Sequence, residues 1–255
     1  MPEGPGLAVV TGAARGIGAA VSLALAEQGW SLILADACSA QPGIGYPMAS
    51  TADLDAVAER CGAEVLCADV AAPDFVAQLT DVLAGRTAGA AVAAAGVIAG
   101  ELAWATDEDA WSTLIDVNLH GTRRLAEATV PGMLSAGQGR FVAIASAAAL
   151  RAMPQLAAYS AAKAAVVGYV RALAADLAGT GVLANVVCPG STRGAMLVAS
   201  AEVYDLPGEE AFAGQQLLRR LLEPREVAAA VEWLCGAGAS AVTGTVMPVD
   251  GGLTA

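Results

Sequence analysis

Thr11-Gly12-Ala13-Ala14-Arg15-Gly16-Ile17-Gly18 follows a short apolar run at 7–11 and opens a segment with helical spacing at 17–28. Glycine at positions 12, 16 and 18 permits a tight turn, close approach of backbone to a pyrophosphate, and close packing of helix on strand. The helix N-terminus supplies N–H donors for an anion. Strand, glycine turn and helix in that order point to a dinucleotide-binding α/β unit, with Gly12, Arg15, Gly16, Ile17 and Gly18 forming the cradle.

Asp36 closes a second apolar run at 31–36, where a carboxylate can accept both hydroxyls of an adenosine ribose and repels a 2′-phosphate. Ala37 and Cys38 offer no compensating cation, and Arg15 is the one nearby candidate for that role, so NAD is expected over NADP. After a third run at 64–68 come Asp69 and Val70, placed to meet the adenine. Asp69 reads equally as a helix N-cap before Pro73.

Working outward, further strand-like runs at 90–95, 140–146, 183–188 and 245–249 alternate with helical segments at 52–60, 73–84, 107–134, 156–177 and 224–234. This alternation predicts one doubly wound α/β domain over 1–255, a parallel sheet with helices on both faces, and no linker marks a second domain. Pro73 and Pro224 suit first helical turns, and Gly29 and Gly179 suit helix exits. Two stretches break the repeat: a Pro/Gly-rich loop at 38–51 and a segment at 191–214 that reads as a substrate lid.

Tyr159 and Lys163 lie one helical turn apart on one face, within Tyr-Ser-Ala-Ala-Lys. A free tyrosine titrates near pH ~10, and a neighbouring ammonium favours the phenolate, so the spacing predicts a tyrosine able to move a proton at neutral pH. Ser146 follows the run that begins at Arg140 and is expected at the carboxyl end of the sheet, where ligands bind in open α/β folds.

Composition narrows the function. A net charge of −12 without a basic cluster argues against nucleic acid. The hydrophobic content of 56%, mostly small side chains, exceeds what one protomer needs to bury and suggests a homo-oligomer. Residues 1–6 carry no basic leader, and no uncharged apolar run reaches the roughly 18 residues of a membrane span, so the expected location is cytoplasmic, with no membrane partner. The five scattered cysteines read as buried thiols, not as a disulfide frame or zinc site. His120, the single histidine, reads as solvated or capping, and no metal is expected.

The glycine turn, the interval from Ser146 to Tyr159, Tyr-x-x-x-Lys, Asn118 in Asp-Val-Asn-Leu, Cys-Pro189-Gly190 and the terminal Pro-Val-Asp-Gly-Gly occur in one order over nearly the whole length. In this the chain resembles the short-chain dehydrogenase/reductase family. The resemblance implies a seven-stranded sheet and a homotetramer or dimer paired through the helices at 107–134 and 156–177. It also implies that Asn118 anchors a water in the proton path, although alone it reads as a helix-bend residue. Ala95 and Gly96 then floor the cofactor site, and Pro189, Gly190 and Thr192 border it. Two positions depart from the family pattern: Ala93-Ala94-Ala95-Gly96 lacks bracing asparagines, and Gly194 stands where many relatives have threonine. The loop Gly45-Tyr46-Pro47-Met48-Ala49-Ser50-Thr51 with Asp53-Leu54 is similar to the insertion of mycofactocin-coupled, carveol-dehydrogenase-like members, thought to close over the nicotinamide; it also reads as a variable loop.

The resulting expectation is an enzyme that interconverts a secondary alcohol and its ketone with NAD, and the likeness of the insertion implies that the NAD is re-oxidised in place. Ser146 orients the oxygen, Tyr159 moves the proton, and Lys163 lowers the tyrosine pKa and binds the nicotinamide ribose. Ala147, Ala148, Leu150, Met153, Met196 and Leu197 predict an apolar pocket and an apolar alcohol or ketone. Trp104 reads as a pocket residue or as a core or interface anchor, like Trp30 and Trp111. An NADPH-dependent biosynthetic ketoreductase and a non-catalytic nucleotide-binding subunit remain the alternatives.

Overall fold

Among the residues described by the computed structural model, 5–255, seven strands form one parallel sheet in the order β3-β2-β1-β4-β5-β6-β7. The chain runs β1 (Leu7–Thr11), α1 (Gly16–Glu27), β2 (Ser31–Asp36), α2 (Thr51–Cys61), β3 (Glu64–Cys67), α3 (Phe75–Leu83) and β4 (Ala88–Ala93). It continues through α4 (Glu108–Ile115), α5 (Gly121–Ala136), β5 (Gly139–Ile144), α6 (Ala157–Asp176), β6 (Val182–Pro189), α7 (Ala195–Val203), α8 (Pro224–Cys235) and β7 (Val246–Val249). Residues 1–4, on which the expectation of no leader partly rested, lie outside the described residues.

Buried side chains pack on both faces of the sheet. One core gathers Val9, Ile33, Ala91 and Phe141 with residues of α3, α5 and α6; the other gathers Val10, Leu34, Val92 and Val142 with residues of α1, α2 and α8. Alternate residues along each strand feed opposite cores, which is why the central strands read as unbroken apolar runs. The strand order reverses between β1 and β4, and the crevice at a reversal is where an open parallel sheet accepts ligands.

The segment read as one helix at 107–134 is interrupted. A π turn at Asp116–His120 separates α4 from α5, and Asn118 fills it, donating to Leu114 O at 2.8 Å and Val97 O at 3.0 Å. An extra residue in a helical turn leaves no periodic trace long enough to detect. Pro73 is likewise not in a first turn, because α3 begins at Phe75; Pro224 does occupy the start of α8. Cys188 and Cys235 are buried as expected, Cys38 and Cys61 are half-buried, and Cys67 is exposed, because it ends the edge strand β3.

Thr11 compensates for the alanines at 93–95. Its hydroxyl reaches Val92 O at 3.5 Å and accepts from Ala95 N at 3.3 Å, so β1 braces the end of β4 without an asparagine. Phe141, fully buried in the central strand β5, tests the larger core. Phe141→Ala is expected to cost about 3–5 kcal/mol of stability in chemical denaturation, with an unchanged denaturant slope.

Candidate active site

Three glycines shape the first end of a cleft of about 820 Å³. A Cβ on Gly12 would lie 2.6 Å from Ala95 Cα, and one on Gly18 would lie 2.0 Å from Gly12 O, so the turn packs directly on β4 and on its own helix. Gly16, at φ +57°, faces open space. Arg15 caps α1 without a side-chain hydrogen bond, which leaves first-turn N–H groups free of a capping partner. The turn has the donors and bare backbone that a pyrophosphate requires.

Asp36 also lines the cleft and is braced: its carboxylate accepts from Ala14 N and from Cys38 N, both at 3.1 Å. Asp69 is not the N-cap of α3, a place that Asp74 takes. It accepts from Ala71 N at 2.8 Å to close the turn before α3, and from Gln41 Nε2 at 3.0 Å, while Asp69 and Val70 line the cleft. Ala95, Gly96, Pro189, Gly190 and Thr192 continue the same surface. The Thr192 hydroxyl donates to Gly190 O at 3.0 Å. Gly194 has φ +146°, a backbone that a threonine would adopt only with strain, which accounts for glycine there.

The 38–51 insertion crosses this surface. Gly43, at φ +67°, packs so tightly on α4 that a Cβ would lie 2.4 Å from Ala110 N. Arg15 donates to Pro47 O at 2.8 Å and sits 5.8 Å from the Tyr46 ring centroid. Arg15 is thus engaged by the insertion and is not held out as a 2′-phosphate partner. The Tyr46 hydroxyl accepts from Ile98 N at 3.3 Å, and Tyr46 and Gln41 line the cleft. Neither was singled out from sequence; the loop motif was the available signal.

At the other end stand Ser146, Tyr159 and Lys163. Ser146 lies just past β5 and accepts from Ala148 N at 3.1 Å, opening a 3₁₀ turn at Ala147–Ala149. Tyr159 and Lys163 are buried on α6 and line the cleft with Ser146. Burial pushes the Tyr159 phenol up to about 12, with a hydrogen bond from Ser146 pulling the other way. Burial pulls the Lys163 ammonium down to about 8; its Nζ donates to Ile144 O at 2.9 Å and lies 5.9 Å from the Tyr159 ring centroid. The expectation that Lys163 depresses the tyrosine pKa is therefore corrected. The same dry surroundings penalise phenolate and ammonium alike, and on the phenol burial outweighs the opposing hydrogen bond of Ser146.

Asn118 does not reach the cleft wall. Its amide is taken up by Leu114 O and Val97 O, and its Oδ1 accepts from Val97 N at 3.3 Å, so its side chain holds the floor residues. A Cβ on Gly96 would lie 2.9 Å from Asn118 Oδ1 and 3.2 Å from Lys163 Nζ, so glycine there lets both side chains close on the floor.

The substrate side is lined by Ala147, Ala148, Met153, Met196 and Leu197, as anticipated, with Tyr204 and Phe212 added by the lid. Leu150 is exposed and outside the lining, as is Trp104 at 83% exposure. Both sit on irregular segments whose inner side carries no periodic mark. His120 is partly exposed beside Asp116, and no group of metal-ligating side chains occurs among the described residues. No helix among them is long and apolar enough to cross a membrane.

Residues 12–254 match the family model described as enoyl-(acyl carrier protein) reductase. The chain belongs to the short-chain dehydrogenase/reductase family. It is 34% identical to an uncharacterized NAD-dependent oxidoreductase of Mycobacterium tuberculosis, over 96% of this chain and 94% of that one. It is also 34% identical to a 3-oxoacyl-[acyl-carrier-protein] reductase of Synechocystis, over 97% and 96%. The crystal structure of carveol dehydrogenase from Mycobacterium avium in complex with NAD superposes with a TM-score of 0.91 at 28% identity, over 97% of this chain and 96% of that one.

In this short-chain dehydrogenase the buried ammonium opposes folding. Because the native Lys163 is pulled below its ordinary 10.5 to about 8, the cost is fully present below pH 8 and declines to nothing by pH 10.5. Lys163→Met is expected to raise the neutral-pH stability by about 1–3 kcal/mol, less any loss from leaving Ile144 O unpaired. Denaturation between pH 7 and 10 should show the advantage shrinking as pH rises.

Proposed function

We propose that this oxidoreductase interconverts a hydrophobic secondary alcohol and its ketone with NAD. The observation that carries the reading is one continuous cleft: a ribose-facing carboxylate, Asp36, at one end, and the Ser146 and Tyr159 hydroxyls at the other, beside an apolar chamber. The residues fit a dinucleotide, with Gly12, Gly16 and Gly18 on the pyrophosphate, Asp36 on the adenosine ribose and Lys163 on the nicotinamide ribose. Bound nicotinamide supplies the hydride acceptor for oxidation or the donor for reduction.

Ser146 donates to the substrate oxygen and orients it, while Tyr159 takes the proton from an alcohol or gives one to a ketone. Asn118 is a positioning residue, acting through Val97. Braced Asp36 and engaged Arg15 favour NAD over NADPH, and two of the proteins similar to this chain carry NAD in their names or complexes. The NADPH-ketoreductase reading draws on the 3-oxoacyl reductase likeness, and fluorescence titration with the two reduced dinucleotides decides between them. The anchored insertion supports tightly held NAD, re-oxidised in place as in mycofactocin-coupled enzymes; mass analysis of nucleotide released on denaturation, with turnover by an artificial acceptor, tests it. Trp111 and Leu134, exposed on α4 and α5, support a homo-oligomer, with a tetramer the specific expectation for sedimentation analysis. The proposed location is the cytoplasm.

Tyr159→Phe should retain NADH binding and lose turnover by several orders of magnitude; ordinary activity in that variant overturns the assignment. A phenol raised to about 12 gives up its proton reluctantly. Initial rates across pH should accordingly show ketone reduction flat near neutrality and alcohol oxidation climbing as the medium becomes alkaline.

A further inference from the structure

The hydroxyls lining the cleft are not equally occupied. Thr192, Ser200 and Tyr204 each donate to a backbone carbonyl: Gly190 O at 3.0 Å, Met196 O at 2.8 Å and Pro154 O at 2.6 Å. Tyr46 differs. Its oxygen accepts from Ile98 N at 3.3 Å, and among the described residues its own O–H has no acceptor.

This donor is fixed in place. The Arg15 guanidinium sits 5.8 Å from the Tyr46 ring centroid while donating to the adjacent Pro47 O, and Gly43 locks the preceding turn against Ala110. The phenol also shares a cleft with Tyr159, near enough for the Tyr46 charge to oppose ionisation of Tyr159. Val97, Ile98, Met153, Met196 and Leu197 make the surroundings apolar. This half-buried O–H faces the cleft with its donor unclaimed by protein, so a ligand oxygen placed against it takes the acceptor's part.

We propose that Tyr46 is a specificity-determining residue that donates a hydrogen bond to a second oxygen of the substrate. The preferred alcohols and ketones then carry a hydroxyl, keto or ether oxygen near the reacting carbon. The assignment rests on the redox reading of the cleft, because it takes the reacting oxygen to lie at Ser146 and Tyr159. A nicotinamide carboxamide offers the same acceptor chemistry, and the experiment separates the two.

Tyr46→Phe keeps the ring against Arg15 and removes the hydroxyl, together with the bond it accepts from Ile98 N. Dissociation constants of trans-cyclohexane-1,2-diol and cyclohexanol, measured on NAD-loaded protein by ligand-observed NMR titration, read discrimination without requiring turnover. Wild type is expected to bind the diol about tenfold more tightly, and the variant to lose that ratio through weaker diol binding, with cyclohexanol and NADH affinity unchanged and the thermal midpoint slightly lowered by the loss of the Ile98 bond. No preference in wild type, whether from equal binding or from none, overturns the proposal. So does a ratio that persists in the variant, with or without a fall in NADH affinity. Retained turnover in Tyr159→Phe would instead strike the redox reading and leave the measured ratio standing.

Discussion

The contact between Gly12 and Ala95 governs the rest of the site. Backbone meets backbone there, at the ends of two strands that part company, and any Cβ on Gly12 would fall 2.6 Å from Ala95 Cα. Thr11 ties the same point by bridging Val92 O and Ala95 N. Were the two strand ends held further apart, α1 could not aim its first turn along the crevice and Gly96 would not meet Asn118 and Lys163. The glycines supply closeness more than flexibility: at Gly18 the constraint is the 2.0 Å that a Cβ would leave to Gly12 O.

Dryness, the second constraint, follows from the first. Packing of α6 against the sheet buries Tyr159 and Lys163, which moves their pKa values in opposite directions for one reason: each charged form is the one that burial disfavours. The resting pair is a firmly protonated phenol beside an ammonium that holds its proton weakly. Such an arrangement opposes stability, and its persistence in an otherwise apolar core is the pattern of a site in which function outweighs folding.

Periodic features were legible in the sequence. The seven apolar runs became the seven strands, and the helical segments became helices in the same order, because repeating burial leaves a repeating pattern. The spacing of Tyr159 and Lys163 also placed both side chains on one buried face. What sequence could not convey were quantities set by distant neighbours. Arg15 looked available for a phosphate until the insertion's Pro47, 32 residues away, was found on its guanidinium. Lys163 looked like the agent of a lowered tyrosine pKa because adjacency is visible in a chain and desolvation is not. The side-chain bonds of Asn118 to Leu114 and Val97 were also hidden, because they depend on a π turn that adds a single residue to an otherwise ordinary helical run.

The two coverings of the cleft differ in construction. The insertion is held at its base by backbone contact too close for a Cβ at Gly43, and across its span by Arg15 on Pro47 O. The segment at 191–214 contributes Ala201 and Phe212 to a small core with Leu221 and is tied by Tyr204 to Pro154 O. Arg193 adds ion pairs to Glu209, Glu210 and Glu223, all partly exposed. Exposed ion pairs are individually weak and yield to water, whereas close-packed backbone does not open without disturbing α4. The 191–214 segment therefore opens at lower cost than the insertion. The proposed re-oxidation of NAD in place would use this difference, with substrate and product passing the 191–214 segment and the dinucleotide held under the insertion.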